Sequence, residues 1–191
     1  MRKWMFNDLC CLTESVINRT KWKTRRDAQK VYLDYESGRR FGDFPTLTLK
    51  EYALRKCPYK VGDIVAVAQS YHALNISGFV APEWCEHTCE SSAGYNNKMF
   101  VKPELMPYRV RITDIDFERL QDISDEDCLA EGIIYDPRCV APYGYKISNG
   151  KSKWYRTPQD AFSVLIDKVC GKGTWERNHY VYVYTFELVK E

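Results

Sequence analysis

Lys21-Trp22-Lys23-Thr24-Arg25-Arg26 places four cations, an indole and a hydroxyl within six residues. Unpaired Lys and Arg are almost never fully buried, so such a cluster belongs at a surface. Two chemistries suit it. Guanidinium and ammonium groups hold phosphates, and an aromatic ring stacks on a base. A threonine hydroxyl is a poor nucleophile at neutral pH, but a desolvated lysine beside it can take its proton. Lys21 and Thr24 are three residues apart, so one helical turn would bring them to the same side. Arg25, Arg26 and Arg111 are candidate phosphate contacts. Their alternative role is to pair with Asp114, Asp116 and Glu118. Gln69 ends the apolar run 64–68, where a polar side chain meets either a ligand or a turn.

Charge is unevenly divided along the chain. Residues 1–60 carry 14 Lys and Arg against 7 Asp and Glu, whereas the whole chain of 191 residues has a formal net charge of only +2. The first segment therefore stands at +7 and the remainder at −5. Either a basic surface awaits an anionic partner, or the two halves neutralise each other on folding. No run approaches the ~20 apolar residues of a membrane span, and the N-terminus has no apolar stretch of signal-peptide length. A cytoplasmic location with reduced cysteines is the expectation.

The elements that must position the cluster are mixed. Residues 8–18 repeat Leu9, Leu12, Val16 and Ile17 at helical spacing, with Asn7 or Asp8 as cap. Residues 38–45 read as loop and 47–55 as a short helix. Residues 58–63 are a turn leading into the buried strand 64–68. Residues 99–101 are a short strand candidate. Residues 109–117 alternate with one slip near Asp114, as a bulge would produce. Ser124 caps a helix that stops at Gly132, and Thr157-Pro158 opens a longer one that stops at Gly171. Residues 179–188 are the strongest strand signal and must pair with an earlier strand. The chain is expected to form one domain, residues 1–191, of mainly β character with peripheral helices (α+β). Residues 72–98 and 135–153 read as loop-rich excursions.

Several blocks resemble ASCH domains of the PUA-like superfamily. They are Lys21-x-x-Thr24-Arg25-Arg26, Tyr59-Lys60-Val61-Gly62-Asp63 with the strand after it, and Met106-Pro107 with Arg111-Ile112-Thr113. To these add residues 118–123, Glu131-Gly132-Ile133, and residues 171–176 with the last strand. The later blocks are especially similar to phage- and prophage-borne members. The resemblance implies a small β-barrel with 72–98 and 135–153 as insertions, the basic motif at the mouth of a cleft, and RNA or a nucleoside derivative as ligand. Some small members are amidohydrolases of acylated cytidine that use a Lys, a Thr and a Glu. Carried over, these are Lys21, Thr24 and, in place of the Glu, Gln69. A glutamine is no general base, so binding by Lys21, Thr24, Arg25, Arg26, Gln69 and Arg111 is expected ahead of hydrolysis. A structural or partner-binding protein of a mobile element is the third reading. The family's Gly two residues before the Lys is here Arg19.

No cofactor motif is present. Cys85-Glu86-His87-Thr88-Cys89 gathers thiols and an imidazole, and Cys57 or His72 would complete a four-ligand zinc set. The spacing matches no standard finger, so a polar loop with incidental cysteines is expected. Trp175 either stacks on a base or covers one end of the barrel.

Overall fold

The computed structural model describes residues 1–41, 47–76 and 91–189. Five strands make one sheet: β1 (Arg2–Trp4), β2 (Lys23–Asp27), β3 (Ile64–Val67), β4 (Arg109–Arg119) and β8 (Tyr180–Val189). Their order is β1-β3-β4-β8-β2, with β1 parallel to β3 and the other pairs antiparallel. The C-terminal segment thus lies between the basic cluster and the middle of the sheet. Its alternating valines and aromatics fill a pleated surface covered on both sides. Tyr182, Val183, Tyr184 and Phe186 are all buried. β4 carries the anticipated bulge, between Ile112 and Asp114. Val110 and Ile112 face the core before it and Phe117 after it, so the extra residue moves the inward set from even to odd positions.

The sheet is open. The barrel implied by the family resemblance does not close, because β1 and β2 stand at opposite edges. Near where closure would occur, the Arg26 side chain donates to the Met5 carbonyl (3.3 Å) in place of a backbone ladder. A second sheet of three antiparallel strands, β5 (Ile134–Tyr135), β6 (Tyr143–Lys146) and β7 (Ser152–Tyr155), occupies the span 135–153. That span is therefore short strands joined by the loops its glycines and prolines suggested. Its pairing runs through Gly144 and its turn closes at Gly150.

The helices follow their local signals closely. α1 (Leu12–Ile17) is shorter than 8–18, because Asn7 and Asp8 close a turn ahead of it and Cys11 sits left-handed (φ 53°). α2 (Gln29–Phe41) continues past Gly38, where the sequence suggested loop. α3 (Leu49–Lys56) opens with a capping box in which Thr48 and Glu51 bond reciprocally. α4 (Tyr71–Ile76) follows β3. Residues 98–100 form a 3-10 turn, not a strand. α5 (Asp125–Ala130) is capped by Ser124, and α6 (Pro158–Cys170) by Thr157 with Pro158 at its first position. α7 (Thr174–Arg177) is one short turn. α6 buries Ala161, Phe162 and Leu165, and each of the two larger side chains is worth about 1.5–3 kcal/mol. Among the described residues no helix is long and apolar enough to cross a membrane.

Candidate functional site

The basic cluster is a strand, not a helix. Thr24 lies opposite Tyr184, Arg25 opposite Val183 and Arg26 opposite Tyr182 on β8. Backbone bonds fix its start. The Trp22 N–H donates to the Ala130 carbonyl (3.0 Å), and the Trp22 carbonyl accepts from Phe186 N–H (2.9 Å). These bonds carry the C-terminal end of α5 to Lys21. Gly132, at φ 107°, lets the chain turn there. A Cβ at that position would stand 3.1 Å from Leu12 Cδ2, in conformational space that L side chains rarely adopt.

Lys21 is 2% exposed and fully bonded. Its Nζ donates to the Lys23 carbonyl and the Glu131 carbonyl, both at 2.8 Å, and to the Glu131 carboxylate. Burial pushes its pKa down, and the adjacent Glu131 opposes that shift. Arg25 is buried too. It donates to Glu118 (2.6 Å) and Asp127 (2.7 Å) and reaches Glu131 at 3.3 Å. Burial alone would lower its pKa, but the three carboxylates outweigh it and hold it above the ordinary value. Lys23 pairs with Asp127 at 2.5 Å. Lys21, Lys23 and Arg25 are therefore matched by Glu118, Asp127 and Glu131. For these three cations the halves of the chain do neutralise each other, as buried charges require.

Arg26 is the exception. Among the described residues it has no carboxylate partner, and its Nε is buried without a hydrogen bond. Its guanidinium lies 5.7 Å from the Trp4 ring and 5.6 Å from the Phe6 ring. Burial pushes its pKa below the usual arginine value. An orphaned buried donor of this kind costs about 1–3 kcal/mol unless something fills its bond.

Lys21, Thr24, Arg25, Arg26 and Glu131 line one cavity of about 70 Å³. Phe6 and Leu12 face it from the N-terminal segment, and Phe162, Leu165 and Ile166 from α6. No protein group bonds the Thr24 hydroxyl among the described residues. The nearby thiols do not compete as nucleophiles. Burial raises the pKa of Cys170, which borders the cavity, and takes that of Cys128 to about 12. The arrangement offers an apolar slot with a hydroxyl, an uncompensated guanidinium and a buried Lys–Glu pair at one side.

Comparison of the chain with protein-family models, with curated proteins and with solved structures gives no match.

Of the residues singled out from sequence, Lys21, Thr24, Arg25 and Arg26 come together. Gln69 and Arg111 do not line the cavity. The Gln69 N–H points to the Met106 sulfur (3.3 Å), and Arg111 pairs with Glu187 (3.3 Å) on the exposed side of the sheet. Trp175 packs edge-on against Phe162, covering α6 rather than facing a ligand. Cys85, His87 and Cys89 lie outside the described residues. Among those described, no cluster of three potential metal ligands occurs. Glu131 is the site residue that sequence reasoning missed. Its signal was local: an acid at the C-terminal end of α5 opposes the helix dipole, so a cation elsewhere must hold it there.

Proposed function

We propose that the cavity beside β2 binds a nucleoside-type ligand, either a modified nucleoside or a single nucleotide unit of RNA, in an ASCH-like setting. The observation that carries this reading is Arg26. It is a half-buried guanidinium whose buried Nε has no bond, beside a partly open apolar slot, in a cluster whose other cations are all paired. A planar heterocycle suits the walls formed by Phe6, Leu12 and Phe162. An acceptor oxygen or phosphate on it suits Arg26. At about 70 Å³ against the ~300 Å³ or more of an ordinary ligand site, the cavity takes in only the edge of one such unit. Titration calorimetry with cytidine, acylated cytidine and cytidine monophosphate tests the reading. Binding that falls at least tenfold in Arg26→Met supports it, and absence of binding to all three rejects it.

A second reading is amidohydrolysis of an acylated cytidine. It is favoured by Glu131, which places next to Lys21 the carboxylate that Gln69 lacks. In that chemistry the Lys21 proton passes to Glu131, and the free amine takes the Thr24 proton. Thr24 Oγ then attacks the amide carbon, and the amine leaves with a proton from Lys21. Water releases the acyl group from Thr24 in a second step. Binding ranks first because all three Nζ hydrogens are already engaged. Chromatography of an acylated cytidine incubated with the protein separates the two. Turnover abolished by Thr24→Ala supports hydrolysis, and turnover that survives it rejects this role for Thr24.

A further inference from the structure

The three-stranded sheet has one covered face and one open face. Tyr145 is fully buried, with the Lys168 ammonium of α6 5.8 Å from its ring centre, and Tyr155 stacks parallel to Tyr145 at 6.3 Å. Alternation sends the neighbouring residues the other way. On that outer side Gly144 pairs with Trp154, and Lys146 with Ser152. The Trp154 ring lies down on Gly144. A Cβ there would meet the Lys153 carbonyl and stand 2.8 Å from the indole. The glycine is what allows the ring to lie flat against the strands.

The segment that carries this half-buried ring is basic, although Lys153, paired with Tyr145, alternates to the opposite face. Residues 136–156 contain Arg138, Lys146, Lys151, Lys153 and Arg156 against Asp136 alone. Arg138 is taken by Asp136 at 2.8 Å. Lys146, Lys151, Lys153 and Arg156 are exposed and have no ion pair among the described residues. Lys146 is two residues along β6 from Gly144, on which the indole lies, a spacing of about 6–7 Å. Arg156 follows the end of β7, two residues after Trp154 and on the other side of it along the strands.

We propose that this outer face binds single-stranded nucleic acid, with a base stacked on Trp154 and flanking phosphates held by Lys146 and Arg156. This surface is separate from the cavity beside β2 and does not depend on what that cavity holds. The flat indole decides between anionic partners. Unstacked bases use such a ring, whereas a duplex offers mainly phosphates and an acidic peptide mainly carboxylates.

The test uses the full chain and fluorescein-labelled dT12 and rU12, read by anisotropy across a salt series. Both oligomers are expected to bind. Trp154→Ala weakens binding about tenfold, and Trp154→Phe recovers most of it. Lys146→Glu with Arg156→Glu weakens it further and lowers the salt slope by about 1.4, as loss of two single-strand phosphate contacts predicts. A charge-matched reversal elsewhere, Lys30→Glu with Lys172→Glu, has a smaller effect. A preference between dT12 and rU12 identifies DNA or RNA as the source. The proposal is overturned by absent binding, by a control reversal as damaging as the pair, by Trp154→Ala binding as wild type, or by a 12-base-pair duplex or poly-glutamate binding as tightly as the single strands. Circular dichroism confirms that each variant is folded.

Discussion

The Lys21 ammonium donates to both the backbone carbonyl and the side-chain carboxylate of Glu131, 110 residues later in the chain. This contact ties the start of β2 to the end of α5 and sets one side of the cavity. It is also what lets a lysine sit 2% exposed in an apolar surround.

Breaking that pair leaves a buried, uncompensated cation. Glu131→Gln is expected to cost about 3 kcal/mol at pH 7 in urea unfolding. Burial lowers the folded pKa of Lys21, so the unfolded chain binds more protons as pH approaches the ordinary lysine value of about 10.4. Stability therefore rises with pH in that window. The deficit of the variant should narrow between pH 7 and 9.5, and a deficit that widens would contradict this account.

Arg25 and Arg26 are adjacent but differ in partners. Arg25→Met leaves Glu118 without a cation and takes one of two cationic partners from Asp127 and from Glu131, and is expected to cost about 3 kcal/mol. Arg26→Met removes an orphaned donor and two ring contacts, which offset each other. Its stability should stay within about 1 kcal/mol of wild type. Thermal unfolding of the two variants, compared directly, tests the contrast.

Asp127 carries the acid sensitivity of the site. Burial would raise its pKa, but bonds from Lys23 and Arg25 outweigh this and hold it below the usual aspartate value of about 3.9. Its contribution is complete above that value and is lost as pH falls through the window below it. Asp127→Asn should cost about 1–2 kcal/mol at pH 7, with the gap from wild type closing below pH 4. Urea titrations at pH 7, 4 and 3 give the comparison.

Arg19 sits in the left-handed region at φ 59°, its N–H donating to the Val16 carbonyl (3.1 Å) and its side chain exposed, with no hydrogen bond among the described residues. An L side chain there costs about 1–2 kcal/mol, and glycine gives back part of that through its own chain entropy. Arg19→Gly is expected to stabilise the fold by about 0.5–1 kcal/mol, seen as a Tm roughly 2 °C higher. A lower Tm would show that the Arg19 side chain makes a stabilising contact.

Much of the local structure was legible. Ser124 and Thr157 announced their helices because a side-chain oxygen bonding a backbone N–H is a matter of a few residues. The break at Asp114 announced the β4 bulge because alternation is equally local. Residues 135–153 read as loop-rich, and the short strands within them were hidden because two to four residues carry no alternation until a partner strand is known. Residues 23–27 misled because a run of cations has no period of its own, and pairing with β8 alone made it a strand.

From residue types alone the chain determined that a cluster of cations and a hydroxyl would sit together, where the helices capped by Ser124 and Thr157 would begin, and that the last segment would be sheet. Tertiary structure alone decided what the cluster became. Glu118, Asp127 and Glu131 arrive from distant segments, because buried charge must find opposite charge wherever the backbone brings it. They quench three of the four cations and leave Arg26 open to the cavity. Sequence spacing cannot encode that matching, since it depends on which segments the sheet places side by side.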